Sequence, residues 1–318
     1  MQDWNPMHRV VFLGTPEFSV PSLHSIVAKG YEVTLVVTQQ DKKKGRGKIT
    51  SRSPVKIAAE ALGIDVYQPE NINSKNSIDL IKSHQPDFII VVAYGQILSE
   101  SFLKIPKIDC LNIHASLLPK YRGAAPINWA ITNGESESGI SIMKVEKGLD
   151  SGPVYKMESV SLDKTITAGK LHDILMTLGA GLIVEVLDLI TKEEVEPLEQ
   201  DSNKATYAPM LKKSMSLINW NQTCQVIHNK IRGLDPWPGS VIRYKQKELK
   251  IFDTNYVLEK HVEKPGTILG ADEHGIRITC LDGYLTIKEI QLPGKRRMSV
   301  REFLLGNKIE KGYQLGDD

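Results

Sequence analysis

The chain has 318 residues, more than one compact core usually holds, so two domains are expected. Hydrophobic residues at 41% and charged residues at 25% are ordinary globular values, which exclude a disordered chain and a membrane-embedded one. The formal net charge of +2 is unevenly spread: residues 209–318 hold 18 Lys and Arg against 13 Asp and Glu, and the remainder holds 22 against 25, which favours an anionic partner for the C-terminal part.

Residues 1–9 carry neither an apolar signal core nor an Arg-rich transit pattern, so a cytoplasmic location is expected. A strand at 10–13, the turn Gly14-Thr15-Pro16 and a helix with Val20, Leu23, Ile26 and Val27 follow in order. Gly30 stops that helix, a strand is predicted at 33–37, and Ser53-Pro54 supplies an N-cap and a first-turn proline for the next helix. Further strands are predicted at 65–67, 88–93, 111–114 and 139–145, mostly with helices between them. Near-continuous apolar runs such as Phe88-Ile89-Ile90-Val91-Val92 suit a parallel strand covered on both faces, so a doubly wound, mostly parallel α/β domain is expected over residues 1–190. Its last helix, 168–190, has one apolar stripe at 3.6-residue spacing. His172, Asp173, Glu185 and Asp188 in it would be costly in a bilayer, so it reads as a core helix, and no membrane partner is expected.

Polar residues 191–208 form the expected linker. Residues 209–318 then hold a short helix at 223–232, the turn Pro236-Trp237-Pro238-Gly239 and five short strands between 240 and 290, the spacing of a small OB-like β-barrel. Cys110, Cys224 and Cys280 are far apart and lack CxxC spacing, which gives no support to a disulfide or a zinc site.

In open α/β sheets ligands bind beyond the carboxyl ends of the strands. Gly14-Thr15-Pro16, Tyr94-Gly95, Asn112 and His114 all fall there. Alternation along a strand puts Asn112 and His114 on one face with Ile113 behind them. Taken alone, that pair fits a structural role as well as a chemical one. The following stretch, Ser116-Leu117-Leu118-Pro119-Lys120-Tyr121-Arg122-Gly123-Ala124-Ala125-Pro126, is neither helical nor alternating and is predicted to be an ordered loop over the crevice. Gly148-Leu149-Asp150-Ser151-Gly152-Pro153 is a second turn carrying a carboxylate.

These pieces together resemble the folate-dependent formyltransferase family, over nearly the whole chain. The long motif runs from Asn112-Ile113-His114 through Ser116-Leu117-Leu118-Pro119 to Arg122-Gly123-Ala124-Ala125-Pro126, joined to Gly148-Leu149-Asp150-Ser151-Gly152. Residues 11–18, 91–95, 53–56 and 235–239 match as well. Ala115, where the family often has Gly or Pro, and Asn219-Trp220, where Asp-Trp is more usual, depart from it.

The resemblance implies direct acyl transfer, without metal or covalent enzyme intermediate, from 10-formyltetrahydrofolate as co-substrate to the α-amine of initiator methionyl-tRNA. Asn112, His114 and Asp150 are the implied catalytic set. Ser116, Leu117, Leu118 and Pro119, with Val92, Tyr94 and Gly95 nearby, are implied to line the folate slot. Arg46 is the implied main tRNA contact, in a basic loop with Lys43, Lys44 and Lys48, and Lys295, Arg296 and Arg297 form a second basic patch on the barrel. A monomer is expected. A formyltransferase acting on a small amine, or a non-catalytic RNA-binding protein on the same scaffold, are the alternatives; the barrel and basic loop weigh against the first and the retained polar triad against the second.

Overall fold

A computed structural model describes residues 8–44 and 49–316. The backbone divides into two compact units: one gathers the described residues up to Gly123 with Ser138–Val160 and His172–Tyr207, the other gathers Ala124–Glu137, Ser161–Leu171 and the chain from Ala208 onward.

Strands of the first unit are β1 (Arg9–Gly14), β2 (Glu32–Val37), β3 (Lys42–Lys44), β4 (Ile49–Ser51), β5 (Val66–Tyr67), β6 (Phe88–Val92), β7 (Asp109–His114), β8 (Arg122–Gly123), β9 (Glu137–Lys144) and β10 (Val154–Ser161). Its helices are α1 (Val20–Ala28), α2 (Pro54–Ala61), α3 (Lys75–Ser83) and α4 (Glu100–Leu103); α5 (Pro126–Thr132) lies in the second unit, and α6 (Ala168–Thr191) belongs to the first from His172 on.

Seven strands form one sheet in the order β10-β9-β7-β6-β1-β2-β5. β1 pairs in parallel with β2 and β6, β2 with β5 and β6 with β7, while β7 and β9 are antiparallel. The chain moves outward from β1 to β5 and then returns to the other flank of β1 with β6, so the order reverses between β1 and β6, where a ligand crevice is expected. Val10, Val11, Phe12 and Leu13, like Phe88, Ile89 and Ile90, are wholly buried, which requires cover on both faces of these strands. Ser53 caps α2 by accepting from Lys56 N at 3.1 Å, a contribution of about 1 kcal/mol.

Two features differ from the sequence expectation. β10 is an additional edge strand; its exposed residues at 157–159 and 161 leave no apolar run to betray it. Lys42–Lys44 and Ile49–Ser51 form an antiparallel pair where a loop is expected. α6 is long and apolar enough to cross a membrane by length and composition. Its Leu171, Leu175, Leu182, Ile183, Val186 and Leu187 are nevertheless buried in the protein.

β11 (Tyr207–Ala208) spans the division between the units, and the second unit continues with α7 (Cys224–Gly233), β12 (Ser240–Tyr244), β13 (Lys247–Leu258), β14 (Ile268–Asp272), β15 (Gly275–Thr279), β16 (Gly283–Gln291), β17 (Met298–Ser299) and α8 (Val300–Leu304). The expected barrel is realised as an antiparallel sheet in the order β12-β13-β16-β15-β14, with β17 on β16; among the described residues β12 and β14 do not pair with each other. Ile251, Ile278, Leu285, Ile287 and Ile290 from the sheet, with Ile227 of α7 and Phe303 of α8, form its core. Cys110, Cys224 and Cys280 are free and buried.

Candidate active site

The carboxyl ends of β1, β6 and β7 share one edge of the sheet. At β1 the backbone passes so close to its neighbours that a side chain at Gly14 would meet Phe12 and Ser19 at 2.8 Å. Ser19 Oγ donates to the Val92 carbonyl at 2.7 Å, and Thr15 Oγ1 and Gln39 Nε2 each donate to the Tyr94 carbonyl at 3.2 Å. The segment after β6 is therefore fixed in shape, with Ala93 and Gly95 at positive φ. Val92 is buried, and the Tyr94 ring turns inward to pack with Val11, Leu13 and Phe102, so Tyr94 and Gly95 present backbone rather than side chain to the crevice.

The Tyr94 hydroxyl is buried without a partner among the described residues, and burial pushes its proton affinity far above the ordinary phenol range. An unpaired buried hydroxyl is destabilising, so Tyr94→Phe should leave chemical stability unchanged or raise it by about 1 kcal/mol, with folate affinity unaltered. A urea titration reads this directly. A loss of stability larger than about 1 kcal/mol would mean that the hydroxyl has a partner.

On β7, Ile113 faces α6, where Gly179 comes so close that a Cβ there would lie 2.9 Å from Ile113 Cγ2. Asn112 and His114 thus take the opposite face, as alternation requires. Asn112 is half-buried, and its amide has no hydrogen-bond partner among the described residues. His114 is buried: its Nε2 lies 3.0 Å from the Tyr121 carbonyl and its Nδ1 3.6 Å from Asp150 Oδ2. Nε2 stands at hydrogen-bond distance from its acceptor, whereas the 3.6 Å from Nδ1 to the Asp150 carboxylate is an ion-pair separation.

Asp150 adopts a left-handed φ of 46° in the turn that follows Gly148, and its Oδ2 also accepts from Gly123 N at 2.7 Å. Gly152 closes that turn against β9, where a Cβ would sit 2.1 Å from the Lys144 carbonyl. The structure therefore brings His114 and Asp150 together over a sequence separation that no local pattern reveals, with Asn112 on the same strand face as His114.

The expected ordered loop lies beside them. Ser116 Oγ donates to the Lys120 carbonyl at 2.6 Å; Ser141 Oγ donates to the Ser116 carbonyl at 2.7 Å and accepts from Leu118 N at 3.1 Å. Leu118 is buried with Met143 and Val154, and the Leu117 side chain lies over Gly139 of β9. Thr206 completes the hold: its Oγ1 accepts from Tyr121 N at 2.9 Å and its N–H donates to the Pro119 carbonyl at 3.3 Å. Ser141, Thr206 and Gln200 were not singled out from the sequence. Ser141 carries a weak signal, a lone hydroxyl in the apolar run Ile140-Ser141-Ile142; the other two sit among the polar residues of the expected linker and carry none.

The residues expected to contact nucleic acid are differently placed. Arg46 and Lys48 lie outside the described residues, and Lys43 and Lys44 lie in β3. In the second unit Lys295 is exposed, and Arg296, also exposed, pairs with Glu302 at 3.1 Å. Arg297 is committed to the fold: it bridges Asp235 and Glu289 and lies 4.2 Å over the Phe252 ring. Such a guanidinium has a structural role whatever else it meets.

Comparison with known proteins finds two family matches in order along the chain, residues 8–187 to the family described as Formyl transferase and residues 210–308 to Formyl transferase, C-terminal domain. A curated relative named "Methionyl-tRNA formyltransferase" from Clostridium novyi (strain NT) is 47% identical over 303 residues, 95% of this chain and 98% of that protein. One of the same name from Clostridioides difficile (strain 630) is 46% identical over 97% of this chain and 100% of its own length. Among solved structures, an N-formyltransferase from Helicobacter canadensis in complex with folinic acid and dTDP-3-aminofucose superposes with a TM-score of 0.67 at 20% identity, covering 92% of this chain and 100% of that one. HypX from Aquifex aeolicus in complex with tetrahydrofolic acid gives 0.63 at 17% identity over 96% of this chain, which spans about half, 51%, of HypX. At those identities the structures speak to the fold alone.

Proposed function

Because this chain belongs to the formyl transferase family, we infer that it transfers the formyl group of 10-formyltetrahydrofolate to the α-amino group of methionyl initiator tRNA. The observation that carries the chemical reading is the His114 imidazole between the Tyr121 carbonyl and the Asp150 carboxylate, two residues along the strand from an Asn112 amide that has no hydrogen-bond partner among the described residues. A small amine as acceptor is not favoured, since relatives named for methionyl-tRNA match over nearly the full length, residues 210–308 included.

The reaction asks for three things. The amine must be neutral when it attacks the formyl carbon, the carbonyl oxygen must carry negative charge in the tetrahedral intermediate, and the attacking nitrogen must then lose a proton while the folate nitrogen takes one up as its bond to the formyl carbon breaks. Asn112 N–H groups are the first donors for the oxyanion, and His114 joins them when its Nε2–H exchanges the Tyr121 carbonyl, 3.0 Å away, for the substrate oxygen; Asp150, directly or through water, is the acceptor of the amine proton. A free α-amine titrates near pH 8, at about 7.7–8.0, so the reaction draws on its neutral fraction, and the proton that nitrogen releases after attack needs an acceptor beside it. The loop of Ser116, Leu117, Leu118 and Pro119 and the backbone after Val92 are assigned to the folate, with apolar walls and main-chain groups suited to a flat ring.

We assign the catalytic step to residues 1–190, a linking role to 191–208 and tRNA contact to 209–318, in a cytoplasmic monomer that uses no membrane. Arg46, with Lys43, Lys44 and Lys48, is assigned to the tRNA, as are Lys295, Arg296 and Arg297, among which Arg297 also serves the fold. Phosphate contacts of this kind set position and salt dependence. Arg46→Ala should therefore slow formylation of the tRNA at least about tenfold at low salt, with a difference from wild type that narrows as salt rises, while folate affinity stays within about twofold. Equal losses in both assays would remove the tRNA role. The function itself is tested by incubating the protein with 10-formyltetrahydrofolate and charged initiator tRNA: formyl-methionine on the tRNA is expected, and its absence with both substrates intact refutes the assignment.

A further inference from the structure

Gln200 uses its full hydrogen-bonding capacity at the site. Its Oε1 accepts from Arg122 Nη2 at 2.8 Å and Nε at 3.1 Å, and its Nε2 donates to the carbonyls of Asp150 at 2.9 Å and Gly152 at 2.7 Å. These four contacts account for both lone pairs and both protons of an amide. They also fix which end is which, because a flipped amide would set N–H against guanidinium and oxygen against carbonyl.

The contacts close a ring. Arg122 is followed by Gly123, whose N–H donates to Asp150 Oδ2 at 2.7 Å; the Asp150 carbonyl returns to Gln200. The same Oδ2 faces His114 Nδ1 at 3.6 Å. Asp150 benefits from such a hold, since its φ of 46° lies in the left-handed region that residues with side chains visit less often, Asp more than most. Arg122 is buried, and among the described residues its guanidinium has no carboxylate partner. A neutral amide thus satisfies a buried cation without neutralising it, and its other end grips the turn that carries the carboxylate.

We propose that Gln200 is a positioning residue for formyl transfer, holding the Asp150 turn and the Arg122 loop in one frame so that the Asp150 carboxylate stays against His114. The proposal rests on the activity assigned above and adds a residue that never touches the reacting atoms. Gln200→Glu separates the two ends of the amide. A carboxylate still accepts from Arg122, and more strongly, but it offers no donor to the two carbonyls, so only the Asp150 side of the frame opens. Gln200→Ala would strand a buried guanidinium and endanger the fold, which makes it the weaker test.

The full-length wild type and Gln200→Glu proteins are compared in steady-state formylation of initiator methionyl-tRNA, and the ring-nitrogen chemical shifts of His114 are compared by NMR. The expected result is a fall in kcat of at least about tenfold with both KM values within about twofold, and displaced His114 ring-nitrogen chemical shifts. Unchanged kcat, or His114 signals identical to wild type, overturns the proposal, as does a loss that appears only in KM. Should wild type itself make no product, the assigned activity falls, and the His114 signals alone decide whether Gln200 positions the pair.

Discussion

Asp150→Asn is expected to lower the turnover of formyl transfer by about a hundredfold to ten-thousandfold, the range for losing a general base. The substitution is close to isosteric: the amide oxygen can still accept from Gly123 N, which holds Asp150 Oδ2 at 2.7 Å, so the turn should survive. What disappears is the negative charge opposite His114 Nδ1 and the only lone pairs of that group basic enough to receive a proton from the attacking amine. Because the group works on the acceptor nitrogen, the loss should appear in the single-turnover rate with both substrates saturating, and raising the pH should not restore it. Wild-type single-turnover rates in Asp150→Asn would remove Asp150 from the mechanism.

Asn112→Ala should cost about a hundredfold to a thousandfold in kcat, the range for removing one oxyanion donor. Asn112 is well suited to this measurement. Its side chain is half-buried and unpartnered among the described residues, so truncation strands no other polar group and stability should change by less than about 1 kcal/mol. Among the described residues nothing takes up this amide, two residues from a histidine held by the Tyr121 carbonyl and facing Asp150. The contrast with Gln200, whose amide is wholly consumed, separates a group kept for a ligand from one kept for the frame. If kcat is retained while folate affinity collapses, Asn112 binds the ground state and the oxyanion assignment moves elsewhere.

The parallel sheet was legible because its central strands are buried on both faces and say so in unbroken apolar runs: Val10 to Leu13 and Phe88 to Ile90 are wholly buried. β10 was not legible, since an edge strand with one face in water has no run to display. Within the site, period-two alternation places Asn112 and His114 together, and no long-range knowledge is needed. Asp150 is different. Nothing local distinguishes its turn from an ordinary hairpin, and only the family resemblance attached it to His114; the carboxylate geometry adds what sequence spacing cannot, a 3.6 Å approach set by Gly123 and Gln200. Gln200 and Thr206 were hidden for the same reason, polar residues in a polar stretch whose partners lie 50 and 85 residues away. Arg297 illustrates the converse: it reads as a free surface cation, yet its carboxylate partner Asp235 stands 62 residues earlier. Tyr94 divides the two cases, because its position at a strand end is legible and the inward turn of its ring is a matter of packing.

The most direct test of the account is a crystal structure of the protein with a non-transferable formyl-folate analogue. The formyl carbon is predicted to lie beside Asn112 and His114, its oxygen within hydrogen-bond reach of both and Asp150 on the side from which an amine would approach. A formyl group bound away from that pair, or an Asp150 carboxylate turned from His114 in the complex, would contradict it.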